Sequence, residues 1–382
     1  MLFSERSATG QTEENAYTQA LRARRESGTE ILDLALSNPT KAQLPYATDE
    51  ILDALASPSA LVYEPDPRGW IGAREALVAA ELAPSVDRVF ITASTSEAYG
   101  HLFTLLTDPG DEVLVPAPSY PLLAHLAHLA GVSLVPYSCR YDGQWSFDTA
   151  ELWEAISDRT RAIVAVSPNN PTGHYLGSAE LEALTSLGVP LIVDEVFHAY
   201  PIEAPEDRPR AASFAGSTTE SLVFGLDGAS KRLALPQLKL GWISVAGESA
   251  AVENACARLE LIMDTYLSPS TSQHALPLLL PLDGAASAIR ERIASNLEVL
   301  RSACEGTAAS VPRVEGGWYA PVRMPATRTD EAWAIALIEA GVSVHPGYFY
   351  DFPDNEAWLV LSLLAPPDVF SRGVDQLARL AR

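Results

Sequence analysis

Residues 162–173 read Ala162-Ile-Val-Ala-Val-Ser-Pro-Asn-Asn-Pro-Thr-Gly173. The first five are apolar without alternation, the pattern of a strand buried on both faces. The next seven are polar and rich in turn-forming residues, too rigid for a mere spacer. Comparable apolar runs lie on either side: Val89–Thr92, Glu112–Val115, Val132–Val135, Leu191–Val193 and Leu222–Phe224. Helical stretches separate them, among them Ser96–Leu106 and Leu122–Leu129. Doubly apolar strands alternating with helices predict an α/β chain, with a mainly parallel sheet covered on both sides.

From about Gly284 the pattern changes. A long helix over Ala286–Glu305 precedes the strand candidate within Val314–Arg323. A helix near Thr329–Ala340, short apolar runs at Val342–His345 and Leu359–Ser362, and a closing helix follow. This predicts a small α+β unit with antiparallel strands. The expected division is a large domain over 41–283 and a small C-terminal domain over 284–382. Residues 1–40 form an N-terminal segment that joins the small domain.

Composition narrows the function. A hydrophobic fraction of 47% fits a globular core rather than a disordered chain. The apolar runs are far shorter than the roughly 20 residues of a membrane span. The N-terminus, Met1-Leu-Phe-Ser-Glu-Arg-Ser-Ala-Thr-Gly10, carries no secretory pattern. Three scattered cysteines, Cys139, Cys256 and Cys304, form no disulfide framework or metal pair. A cytoplasmic protein is expected, with no membrane partner. A net charge of -23 argues against nucleic acid, whose phosphates need basic patches. His125 and His128 lie three apart in an apolar helix, without further ligands, so no metal is expected. No G-x-G-x-x-G follows a strand, which disfavours a dinucleotide-binding dehydrogenase.

Chemistry concentrates after the strands, where an α/β sheet binds ligands. Lysine is rare: only Lys41, Lys231 and Lys239 occur, and arginine carries the remaining cationic charge. Arginine cannot form a Schiff base, whereas a deprotonated lysine amine can. Lys231, in Gly228-Ala-Ser-Lys-Arg-Leu-Ala-Leu-Pro-Gln-Leu-Lys-Leu-Gly-Trp242, is therefore a candidate covalent anchor for an aldehyde cofactor. Asp194-Glu195 ends the Leu191–Val193 run. Thr92-Ala-Ser-Thr-Ser-Glu97 places small hydroxyl residues at a helix N-terminus, which attracts phosphate.

The Asn-Pro-Thr-Gly, Asp-Glu-Val and Ser-Lys segments occur in an order and spacing that resembles the aminotransferase class I/II family. These are pyridoxal-phosphate-dependent enzymes of fold type I, the aspartate-aminotransferase fold. The resemblance runs from about Leu34 to the C-terminus. The wordings Leu235-Pro-Gln-Leu-Lys-Leu-Gly-Trp242 and Val360-Leu-Ser-Leu-Leu364 resemble a divergent bacterial branch. The resemblance implies a seven-stranded, mainly parallel sheet and pyridoxal 5′-phosphate as cofactor.

It also implies roles. Lys231 forms the internal aldimine and moves the substrate proton. Asp194 pairs with the pyridine nitrogen, Asn170 binds the phenolate oxygen and touches substrate, and Tyr120 stacks on the ring. Thr95, Ser96, Ser230 and Lys239 cradle the phosphate. Tyr63 reaches the phosphate of a neighbouring subunit, which implies a homodimer. The implied activity is amino-group transfer between an amino acid, or related amine, and a keto acid.

Four positions depart from the family pattern. Lys239 stands where arginine is usual, and Gly228 where a phosphate-binding serine is common. Phe197 replaces a tyrosine that donates to the phenolate. Val360 occupies the position of the arginine that grips the substrate carboxylate. Arg323 is the first candidate to replace it, with Arg68, Arg232 and Asn38 also considered. Tyr319, Tyr348 and Tyr350 are pocket candidates, with packing the preferred reading for any single one. The Val360 departure keeps a second activity open: a carbon–heteroatom lyase, decarboxylase or oxidase on the same scaffold. A non-catalytic regulator is disfavoured, because no helix-turn-helix precedes the core.

Overall fold

A computed structural model describes residues 3–7, 14–205, 208–213, 220–267 and 271–382. Parts of the N-terminal stretch read above for a targeting signal, residues 1–2 and 8–10, lie outside these.

The chain pairs its first short strand, β1 (Leu32–Asp33), with a segment from the other end of the sequence, and then builds the large sheet. That sheet contains β2 (Val89–Thr92), β3 (Glu112–Ala117), β4 (Ser133–Tyr141) and β5 (Trp145–Phe147). It is completed by β6 (Thr160–Val166), β7 (Leu191–Asp194), β8 (Val223–Gly228) and β9 (Gly241–Ala246). The spatial order is β2-β9-β8-β7-β6-β3-β4-β5. Strands β4, β3, β6, β7 and β8 run parallel, with one register shift between β3 and β6 at Glu112/Val113. Strand β9 is antiparallel to both of its neighbours.

The sheet thus has eight strands rather than the expected seven. The eighth, β5, is a three-residue return strand, antiparallel to β4 at the edge. Strand β4 also continues six residues beyond the apolar Val132–Val135 run, on a half-exposed edge where alternation weakens. Every residue of β2, β8 and β9 is buried, which is why their sequences are mostly apolar, with Thr92, Asp227 and Ser244 as buried polar exceptions.

Helices cover both faces. Phe90, Phe103, Phe224 and Leu259 belong to one core layer, which the Thr95–Leu106 and Ser249–Tyr266 helices help to build. Ile163, Leu184 and Val193 belong to another. Among the described residues no helix is long and apolar enough to cross a membrane.

The remaining strands are β10 (Tyr319–Met324), β11 (Val342–Ser343), β12 (His345–Pro346) and β13 (Ala357–Ser362). They form an antiparallel sheet of order β10-β13-β12, plus the parallel pair β1–β11. The helices Gly284–Cys304 and Pro367–Leu380 share a core with this sheet around Trp318, Leu359 and Phe370. Leu34 enters the same core. A side chain at Gly373 would bring its Cβ to 2.0 Å from Leu34 Cδ1, so the helix needs a glycine where Leu34 crosses it.

Candidate active site

One cavity of about 390 Å³ lies at the ends of the central strands. It is lined by Thr95, Ser96, Tyr120, Asn170, Asp194, Ser230, Lys231 and Lys239. The structure therefore brings eight sequence candidates to one place. They meet because parallel strands deliver the loops that follow them to the same edge.

Asp194 is the last residue of β7 and is partly buried at the cavity wall. Its Oδ1 accepts the Val196 N–H at 3.1 Å and its Oδ2 accepts the Tyr99 hydroxyl at 3.2 Å. Burial, aided by nearby Asp227, pushes the carboxyl up to about 6, and Lys231 and the two donors pull the other way. Lys231 follows β8 on the short Ala229–Arg232 helix. Burial holds its amine below the usual lysine range, opposed by Asp194. The Nζ stands 5.3 Å from the Trp318 ring and 5.7 Å from that of Phe197. The buried Tyr200 hydroxyl donates to the Lys231 carbonyl at 2.5 Å and fixes the backbone beneath the amine.

The Thr95–Leu106 helix starts with a reciprocal cap. Ser94 accepts the Glu97 N–H, and the Glu97 carboxylate accepts the Ala93 N–H at 2.6 Å. The N–H groups of Thr95 and Ser96 are not consumed by this cap and belong to residues at the cavity wall. Gly241 permits the helix to sit so close: a Cβ there would lie 3.1 Å from the Thr95 nitrogen and 3.0 Å from the Ser94 carbonyl carbon. Gly228 pairs with Gly241 across β8 and β9. A side chain at Gly228 would approach the Leu240 carbonyl to 2.9 Å. That crowding accounts for the missing serine. Lys239 holds a left-handed backbone, φ 49°, where a lysine is less favoured than a glycine.

The two asparagines of the 167–173 loop divide their work. Asn169 Nδ2 donates to the Pro118 carbonyl and to Thr172 Oγ1, both at 3.0 Å, and so shapes the loop. Asn170 is buried, yet its Oδ1 has no hydrogen-bond partner within the protein. The same holds for Asn169 Oδ1, but only Asn170 lines the cavity, where its amide can meet a ligand.

Three candidates lie elsewhere. Arg323 is 55% exposed and pairs with Glu356 at 2.8 Å, so it is a surface residue and does not line the cavity. Asn38 is taken up locally: its Oδ1 accepts the Thr40 N–H at 3.0 Å and caps the Pro39–Lys41 turn. Its neighbour Ser37 lines the cavity instead. Tyr63 is 80% exposed and away from this chain's cavity. Arg68 is bound to Glu260 at 2.7 Å and Arg232 to Asp227 at 2.6 Å. Val360 is a core residue, 1% exposed. Tyr319 and Tyr350 line the cavity, whereas Tyr348 does not and instead donates to Glu331.

Several lining residues escaped the sequence reading. Tyr99 lies one helical turn after Thr95, the spacing that puts both on one helix face. His345 and Phe349 come from the small sheet and the turn after it. Nothing local marks these as pocket residues.

With this geometry in place, the affiliation is plain. The chain belongs to the aminotransferase class I and II family, whose model matches residues 29–369. An alanine aminotransferase of Mycobacterium tuberculosis is 31% identical over 266 residues, which are 66% of this chain and 61% of that protein. The chain thus matches about three fifths of that relative's length. A glutamate-pyruvate aminotransferase of Haemophilus influenzae is 29% identical over 276 residues, 69% of this chain and 67% of that one. In three dimensions the chain is similar to an alanine aminotransferase from Pyrococcus furiosus, with a TM-score of 0.87 and 21% identity, over 99% of both chains.

Members of this family use pyridoxal 5′-phosphate. The residues present fit it. Asn170 lines the cavity with an amide whose Nδ2 can donate to a phenolate, the helix N-terminus beside Gly241 suits a phosphate, and a lysine amine of lowered basicity shares the cavity with a carboxylate.

Proposed function

We propose that this protein is a pyridoxal-5′-phosphate-dependent aminotransferase that moves an amino group between an amino acid and a keto acid. The observation that carries the reading is the shared cavity of Lys231, Asp194 and Asn170, with the Thr95–Leu106 N-terminus in the same wall. When bound, pyridoxal 5′-phosphate supplies an electron sink for the charge left as a bond at the amino carbon breaks.

The protein's own groups do the rest. Lys231 anchors the cofactor through its amine and then takes and returns the proton at the substrate's amino carbon. Its depressed basicity suits both tasks, because a free amine is the reactive form. Asp194 holds a positive charge on the ring nitrogen, and Tyr99 and Val196 orient its carboxylate. Asn170 donates its amide to the phenolate oxygen and borders the substrate. Thr95, Ser96, Ser230 and Lys239 would receive the phosphate, and Tyr120, half-exposed in the cavity wall, would offer its ring to the cofactor.

The names of the mycobacterial and Haemophilus relatives, an alanine aminotransferase and a glutamate-pyruvate aminotransferase, favour alanine and pyruvate as one amino-acid and keto-acid pair. The exposure of Tyr63 supports a homodimer in which it enters the neighbouring site, as do Leu61 at 91% and Val62 at 58% exposure beside it. The reading also includes a large domain over 41–283, a small one formed by 1–40 and 284–382, and a cytoplasmic location. Val360 favours a second reading, a lyase, decarboxylase or oxidase, because the usual carboxylate grip is absent from β13.

Two measurements test the proposal. Lys231→Ala should abolish the visible absorbance of the covalently held cofactor, and a retained band would overturn the anchor. Amino acid alone should convert the cofactor to its amine form. Release of ammonia without that conversion would favour the lyase.

A further inference from the structure

The cavity is built from two unlike sources. The large sheet contributes Lys231, Lys239 and the helix N-terminus, which are electropositive, together with the single carboxylate Asp194. The small sheet and the N-terminal segment contribute Ser37, Tyr319, His345, Phe349 and Tyr350, which are aromatic or neutral hydrogen-bonding groups. Among the described residues no arginine lines the cavity.

His345 owes its place to strand pairing. In the antiparallel β12–β13 ladder it lies directly across from Val360. Directly opposed residues project to the same face of a sheet. Val360 stays in the core, so the imidazole is the member of this pair that reaches the cavity. Its Nδ1 stands 2.9 Å from the Tyr350 hydroxyl. With Tyr350 donating, Nδ1 is the acceptor and the ring proton resides on Nε2. The remaining polar atom of the ring is then an N–H donor.

We propose that His345 receives the substrate carboxylate through Nε2, at a single point, in a site that selects monocarboxylic amino acids with an apolar or aromatic side chain. The inference rests on the aminotransferase reading and adds its substrate class. One N–H donor holds one carboxylate oxygen, where a guanidinium would grip two. The rest of the substrate then meets Phe349, Tyr319 and the Leu122–Ala130 helix, whose Leu122 and Leu126 also line the cavity. A second carboxylate would find no arginine among the described residues that line this cavity, and desolvating it unpaired is costly.

Calorimetric titration of the cofactor-loaded protein tests this without turnover. The probes are 3-phenylpropanoate, its uncharged analogue 3-phenylpropan-1-ol, and the dicarboxylate phenylsuccinate. The wild type should bind 3-phenylpropanoate about tenfold or more tighter than either of the others. His345→Phe should lose about tenfold on the acid and nothing on the alcohol, and His345→Gln, which keeps an N–H, should recover part of the loss. Equal weakening of acid and alcohol in His345→Phe would reduce His345 to a wall residue and overturn the proposal. An unchanged affinity for the acid would overturn it too, by placing the carboxylate elsewhere. Phenylsuccinate binding as tightly as 3-phenylpropanoate would refute the monocarboxylic class. None of these outcomes touches the cofactor assignment, which the Lys231→Ala absorbance decides separately.

Discussion

Asp194→Asn in the cofactor-free protein isolates the cost of keeping an acid at the buried end of β7. The substitution keeps the shape and removes the charge. Burial raises the Asp194 carboxyl from an ordinary 3.8 to about 6, against the pull of Tyr99, Val196 and Lys231. At about 1.36 kcal/mol per pKa unit, deprotonation of the native state costs about 3 kcal/mol. Because the folded value is the higher one, this stability is fully present below about 3.8 and is lost as pH rises through about 6. Asparagine does not ionise and loses nothing over that range. Urea titrations of both proteins at about pH 4 and about pH 8 should show their difference moving in favour of the variant by about 2.5 kcal/mol. Added pyridoxal 5′-phosphate should narrow the gap at the higher pH, since the ring nitrogen gives the ionised carboxylate a cationic partner. A difference that stays flat from about pH 4 to about pH 8 would refute the reasoning, because burial would then impose no charge penalty.

Three further outcomes are expected. Phe197→Tyr restores a hydroxyl beside the cofactor's phenolate, so the pH midpoint of the visible absorbance should move down, and an unmoved midpoint would contradict the pocket geometry. Gly241→Ala crowds the Ser94 carbonyl and the Thr95 nitrogen at 3.0–3.1 Å. Cofactor affinity measured by equilibrium dialysis should fall about tenfold or more, since the phosphate-facing helix end is displaced. Arg323→Ala removes a largely exposed ion pair with Glu356, and should change stability by less than about 1 kcal/mol and leave turnover with any donor unchanged.

The layered α/β fold was legible because β6, β7 and β8 are apolar on both faces, and only a covered parallel sheet needs such strands. The convergence of Lys231, Asp194, Asn170 and the Thr95–Ser96 pair was legible for the same reason: strand ends in a parallel sheet share an edge. What the sequence hid depends on lateral pairing. Strand β9 escaped because Gly241 and Ser244 interrupt its apolar run, and β5 because three residues carry no period. Arg323 looked suitable because it shares β10 with the cavity residue Tyr319. Four residues at about 3.3 Å each put it roughly 13 Å further along, at the solvent end. His345 could not be inferred from its own neighbours. Its significance lies in the strand opposite, where a valine leaves room for it. Asn38 was lost to a turn that its own side chain closes.

The β1–β11 pairing gives the polypeptide a long-range clasp. Leu32 and Asp33 pair with Val342 and Ser343, Leu34 is packed against Gly373, and the Ser362 N–H donates to the Leu34 carbonyl at 2.7 Å. Ser37, three residues on, lines the cavity. Synthesis proceeds from the N-terminus, so a strand made among the first waits for partners made among the last. Such contacts give a high contact order and a slow closing step. The large sheet, with Lys231 and Asp194 on it, is translated in full before that step can begin. The lysine wall of the cavity can therefore be ordered early in biogenesis, while the wall carrying Ser37 and His345 is assembled only when the two ends of the chain meet.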